Sequence, residues 1–193
     1  MSVDRDRIAR WTKLLAAGDT TELRAVFGPH GARGPTVKWR PTPDDMEQQP
    51  LKFTLEYWSQ AAIDGLPTTR LVDPLALAPA LGYLLLVDVI DEGMDFAYRL
   101  FGSRISAVSG FDMTRKRLSE HPASDYIREF SMALYSAVRT RREPVWSSYG
   151  PAVASTTTSW DRVILPLVDE AGTICRFLVA IVPIGLDGTM LRM

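Results

Sequence analysis

His30, His121 and Cys175 are the only imidazole and thiol groups in this 193-residue sequence, and none of them stands in a pattern that supports chemistry. Haem would need an axial histidine. His30 lies in Gly28-Pro29-His30-Gly31, where no rigid ligand position is expected, and His121 directly precedes Pro122 at the start of a helical pattern, as a cap or surface residue would. Two histidines without paired spacing and a single cysteine exclude an internal disulfide and a cysteine-based zinc site, so no metal site is expected. Hydrolysis by a serine nucleophile would call for a histidine oriented by a carboxylate. Ser119 and Ser124 near His121 carry no such support, and no Gly-x-Ser-x-Gly elbow occurs. Gly28 to Gly34 is glycine-rich, but it lacks the Lys-Ser/Thr ending of a phosphate loop and follows no strand. Arg139, Arg141 and Arg142 cluster at a helix end, where cations complement the helix dipole; a partner- or phosphate-contacting patch is the alternative reading. An enzyme is therefore the least supported class, because acid, base and nucleophile do not converge.

The elements that would position any site follow from composition and periodicity. With 46% apolar residues the chain is long enough for one real core with an added helical segment. The net charge of −1 and pI of about 6.1 give no global field toward nucleic acid or an anionic membrane. Residues 1–40 carry eight Lys/Arg against four Asp/Glu, an asymmetry that reads as a solvated helix face. The start of the chain lacks the apolar run of a signal peptide, and Leu75 to Ile90, the longest apolar stretch, is interrupted by Pro79 and Asp88. A soluble protein of the reducing cytoplasm is expected, with neither nucleic acid nor membrane as a partner.

Ile8, Trp11 and Leu15 recur at helical spacing from about Asp4 to Ala16, and a second short helix is expected over Thr21 to Phe27. Gly28-Pro29, Gly31, Gly34-Pro35, Pro41, Pro43 and Pro50 then read as a linker, giving a boundary near residue 50. Leu51, Leu55 and Trp58 form the next helical stripe. Asp73-Pro74 reads as a cap opening a short helix that Pro79 limits, so that residues 51–82 make a helical preface. Leu84 to Ile90, a turn at Asp91-Glu92-Gly93, and Asp95 to Phe101 predict a hairpin, with Gly102 ending its second strand. Short helical pieces are expected from Ser103 to His121, and a longer helix from Ser124 to about Thr140 with Ile127, Phe130, Leu134 and Val138 on one face. Three strands follow, Val145 to Val153, Trp160 to Val168 and Thr173 to Ile184, with Ser155 to Ser159 as a solvated loop. The class is α+β: a five-stranded antiparallel sheet in the order ββ, helices, βββ over residues 83–185, an N-terminal helical extension, and a tail over 186–193.

The order of these elements, together with Tyr57-Trp58, Pro67, Arg70-Leu71-Val72-Asp73-Pro74, Tyr98-Arg99-Leu100 with Gly102, Gly110 with Thr114, and Leu165-Pro166-Leu167, resembles a PAS domain. More narrowly it is similar to small stand-alone bacterial PAS proteins, over about residues 51–184. Arg115 departs from the pattern, which would have a second glycine after Thr114. The resemblance implies a single PAS fold with a cleft between sheet and helices, a role in sensing or relay, and dimerisation through flanking helices. It also singles out Arg70, Asp73, Arg99 and Gly102. Cys175-Arg176-Phe177-Leu178 resembles the flavin-adduct cysteine motif of photosensing LOV domains, but it falls on the last expected strand and lacks the flanking asparagine and glutamine.

Candidate cleft residues are Phe96, Tyr98 and Leu100 from the second strand, Ile127, Phe130 and Leu134 from the long helix, and Trp146, Leu165 and Phe177 from the late strands. A dry core is the plainer reading of the same residues, because apolar side chains at regular spacing usually mean packing. Leu84 to Ile90 is apolar in both alternating sets, so both faces of that strand must be covered. Ile8, Trp11 and Leu15, or Leu51, Leu55 and Trp58, are the candidate covers, in cis or as the interface of a homodimer. No cofactor is expected, and a small molecule of unknown identity has room. With no kinase, cyclase or DNA-binding segment recognisable, the expected function is non-enzymatic sensing that acts through a signalling partner in trans. A ligand-free adaptor with a filled core is the alternative.

Overall fold

The computed structural model describes residues 3–63, 65–150 and 157–191. One antiparallel sheet forms the centre. Its strands are β1 (Thr36–Trp39), β2 (Leu84–Ile90), β3 (Asp95–Phe101), β4 (Val145–Tyr149), β5 (Thr157–Val168) and β6 (Ile174–Gly185), in the spatial order β1-β4-β5-β6-β2-β3. The five expected strands are present, and β1 is an added sixth on the β4 edge, pairing Val37 with Ser147 and Lys38 with Trp146. It lies inside the stretch read as linker. Only Val37 and Trp39 alternate there among prolines and glycines, too few residues for a period-two signal. The strand expected over Val145 to Val153 is observed to Tyr149, and residues 151–153 lie outside the described set. Thr157, Thr158 and Ser159, expected in a loop with Ser155 and Thr156, belong to β5, and the latter two residues lie outside the described set.

Helices cover both faces of the sheet. On the inner face lies α5 (Asp125–Arg141), whose residues from Tyr126 to Val138 are nearly all buried. α1 (Arg5–Ala16) packs on the far side of α5 through Ile8, Trp11 and Leu15, with α2 (Thr21–Phe27) adding Leu23 and Phe27. Asp4 caps α1 by accepting the Arg7 N–H at 2.9 Å. Its own N–H donates 2.8 Å to Glu129 of α5, and the Arg7 guanidinium reaches the same carboxylate at 2.9 Å. Because Glu129 is only 2% exposed, this pair fixes α1 on α5. The outer face is covered by α3 (Gln49–Ala61), whose Leu51, Thr54, Leu55 and Trp58 keep helical spacing. Trp58 Nε1 donates 3.0 Å to the Pro166 carbonyl of β5.

These contacts correct the expected interface. Ile8, Trp11, Leu15, Leu51, Leu55 and Trp58 are buried within one chain, and α1 lies over α5 instead of over the outer sheet. Residues 28–50 are likewise built into the fold: His30 stacks on Tyr126 at 4.5 Å, and Trp39 Nε1 donates 2.9 Å to Leu15 O. Pro79 also plays the opposite part to the one expected. It lies in the first turn of a 3₁₀ segment, Ala78–Tyr83, while Asp73 accepts the Leu75 N–H across a simple turn.

Candidate functional site

Between the inner sheet face, α5 and the short helices lies a cavity of about 470 Å³. Leu85, Tyr98, Phe101, Tyr149, Trp160, Arg162 and Ile181 come from the sheet, and Ile127, Arg128, Ser131 and Tyr135 from α5. The side wall is α4 (Ser103–Ser109), with Ile105 and Val108, and the segment holding Phe111, Leu118 and His121. α4 can start at Gly102 because the chain leaves β3 in close contact with other backbone: a Cβ there would stand 2.4 Å from Gly82 O and 2.9 Å from Leu84 O. Gly110 closes the helix in the left-handed region at φ 79°.

One charged group dominates the interior. Arg162 sits on β5 in phase with Ile164 and is 3% exposed. Its Nε donates to Ser147 Oγ at 2.9 Å and its Nη1 to Ser131 Oγ at 3.3 Å, while Nη2 has no hydrogen-bond partner. The guanidinium carbon lies 5.0 Å from the Phe130 ring centroid and 5.1 Å from that of Tyr149, so aromatic faces supply part of the solvation that water would give. None of the described cavity residues is an Asp or Glu. Arg128, the other arginine of the lining, is differently placed. It pairs with Asp125, and its Nη1 donates to the carbonyls of His121 and Ala123 at 2.7 and 3.0 Å, pinning the entry to α5.

His121 packs edge-on to Phe111 at 4.9 Å, and its Nδ1 accepts the Ala123 N–H at 3.1 Å. Burial first, then the positive charges of Arg128 and Arg162, bring its pKa down to about 4, so the ring is neutral at physiological pH and carries its proton on Nε2. Burial pushes the Tyr135 phenol up to about 12 and raises Tyr98 and Tyr149, against the opposing pull of Arg162. All three are neutral phenols at neutral pH. His121 is neither the helix cap nor the surface residue expected: its Nδ1 holds the turn ahead of α5 at Ala123, and its ring stands in the cavity wall.

The structure divides the expected cleft residues. Tyr98 and Ile127 line the cavity, whereas Phe96, Phe130, Leu134 and Phe177 are filled core beside it. Leu100, Trp146 and Leu165 lie on the opposite face with α3. For Leu100 the cause is a β-bulge. Leu86 pairs with Leu100 but Val87 pairs with Tyr98, so Arg99 is skipped and the alternation reverses, sending Phe101 inward and Leu100 outward. Trp146 and Leu165 lie on strands covered on both sides, where alternation alone cannot say which face is inner.

The motif residues are dispersed. Arg70 makes an exposed ion pair with Glu170, and Asp73 caps its local turn. Arg99 and Arg176 share the Asp88 carboxylate at 2.8 and 2.5 Å across the sheet. Arg115 adopts φ 65°, so the backbone keeps the left-handed turn that a glycine would favour, and its N–H donates 2.6 Å to Tyr98 O. Cys175 lies on β6 outside the cavity lining, with its thiol pKa raised by burial, as a structural cysteine would be. Among the described residues no cluster of His, Cys, Asp and Glu could hold a metal ion, and no helix is long and apolar enough to cross a membrane.

A family model described as PAS domain matches residues 46–182. No curated protein and no solved structure gives a match. The match spans well over half of the sequence, and the chain belongs to the PAS-domain family.

Proposed function

We propose that this PAS-domain chain is a non-enzymatic sensory module that takes a small organic ligand into the cavity beneath α5 and relays its occupancy to a signalling protein in trans. The observation that carries the reading is the cavity. A volume of about 470 Å³ whose aromatic and aliphatic lining is interrupted by serines, His121 and two arginines suits a small-molecule site, whereas a filled adaptor core leaves few voids larger than a water. α5 is the relay: Ile127, Arg128, Ser131 and Tyr135 meet the cavity, and its other side carries α1 through Glu129 and the Ile8-Trp11-Leu15 stripe. A ligand acts on that arrangement only so far as it binds one placement of α5 better than another. Homodimerisation and a cytoplasmic location belong to the same reading, and a dimer would use surfaces other than the six residues buried within one chain.

Denaturing natively purified protein for mass spectrometry should release a small organic molecule. Ile181→Phe, which fills the cavity from β6, should release none while melting no lower than wild type. Empty wild-type protein with a melting temperature unmoved by a metabolite library would sink the reading.

A further inference from the structure

We infer that the ligand class of this cavity is an organic monocarboxylate with an apolar, preferentially aromatic body, whose carboxylate is received by Arg162. The inference rests on the cavity being a ligand site, and it adds what chemistry the site selects.

A guanidinium presents five donors in a fixed fork and does not lose its charge in proteins. Arg162 uses Nε and Nη1 on the hydroxyls of Ser147 and Ser131, and Nη2 is left without a partner at 3% residue exposure. Both partners are neutral, so the positive charge is unmatched by any carboxylate among the described cavity residues. A buried, uncompensated charge of this kind is costly to a fold, and an arriving anion removes the mismatch.

The count of charges sets the valence. Arg128 already has Asp125 and two carbonyls, which leaves one unmatched cation, suited to a monoanion; a phosphate dianion would bring a second negative charge that no free cation of the described lining meets. The planar fork fits a carboxylate. Tyr98, Phe101, Phe111, Tyr135, Tyr149 and Trp160 around the remaining volume favour an aromatic body, and Ser131 places a hydroxyl beside the anion.

The test uses full-length protein and three matched series: indole-3-acetate, 3-phenylpropionate and octanoate, each as acid, amide and amine, titrated by calorimetry and thermal shift. The acids should bind at least about tenfold tighter than their amides, with the amines weakest. In Arg162→Met the acid preference should collapse, and Arg162→Lys, which keeps the charge without the fork, should fall between. Near-UV circular dichroism checks that the variants are folded. If Arg162→Met does not fold, the wild-type ranking of acid, amide and amine decides alone. Amides or amines binding as well as acids, or an acid preference surviving in folded Arg162→Met, would overturn the inference and leave the proposed function standing. Binding by no member of any series, with no ligand released on denaturation, would overturn both.

Discussion

Replacing Arg162 by methionine should make the empty protein more stable, although the residue lies at the centre of the core. The guanidinium gains from two hydroxyl acceptors, at 2.9 and 3.3 Å, and from two aromatic faces at about 5 Å. Hydrogen bonds from a charged donor contribute about 1.5–3 kcal/mol each and desolvated cation–π contacts about 1–2 kcal/mol. Against them stand desolvation of a full charge, several kcal/mol, and the unpartnered Nη2, about 1–3 kcal/mol. Methionine fills much of the same volume and needs no partner; Ser147 and Ser131 lose a donor but keep rotatable hydroxyls. These terms nearly cancel, and because replacing buried charged groups by apolar side chains of similar volume is often neutral or stabilising by about 1–4 kcal/mol, the variant should gain about 1–2 kcal/mol, which for a chain of this size raises the melting temperature by about 2–8 °C. Differential scanning calorimetry of ligand-stripped wild type and Arg162→Met reads this directly. A folded variant melting more than about 4 °C below wild type would show that the guanidinium is kept for stability and refute the reasoning that it awaits an anion.

His121 gives a pH prediction whose sign follows from its lowered pKa. Between about pH 4 and 6.5 the unfolded chain binds the extra proton, so stability rises with pH in that window and is lost as pH falls through it. With the ring partly exposed, the contribution should be about 2 kcal/mol, and His121→Asn, which can still accept the Ala123 N–H, should remove that part of the slope in urea melts at pH 4.5 and 7. Gly102→Ala should destabilise by about 2 kcal/mol or more in denaturant melts, because its methyl group would meet the backbone of Gly82 and Leu84. Arg115→Gly should stabilise by about 0.5–1 kcal/mol by relieving a left-handed arginine, the gain being trimmed by the entropy of an added glycine. Deleting residues 1–35 should bare the α1-facing side of α5 and give aggregation or a lower melting temperature, instead of a folded core with altered partner binding alone.

Local patterns made much of the fold legible. Ile8, Trp11 and Leu15 marked α1, Gly102 marked the end of β3, and the doubly apolar Leu84 to Ile90 required the cover that α3 supplies. The site was less legible, for physical reasons. A bulge is a tertiary adjustment of the ladder, so nothing in Tyr98-Arg99-Leu100-Phe101 announces that Phe101 and not Leu100 turns inward. Helix partners depend on long-range packing, and a stripe such as Ile8-Trp11-Leu15 fits α5 as well as it would fit a second copy. Arg162 was missed although a signal existed. A lone arginine inside Trp160 to Val168, with Val163, Leu165 and Leu167 on one face and Ile164 on the other, had no solvent-facing side to occupy. A charge on a strand covered twice is buried, and a buried charge needs a partner.

The most direct measurement is a crystal structure of the full chain with indole-3-acetate. The account predicts continuous ligand density inside the cavity, the ring among Tyr98, Phe111 and Trp160, and the carboxylate within hydrogen-bonding distance of Arg162 Nη2. Density confined to the protein surface, or a ligand seated in the cavity with its carboxylate turned away from Arg162, would contradict it.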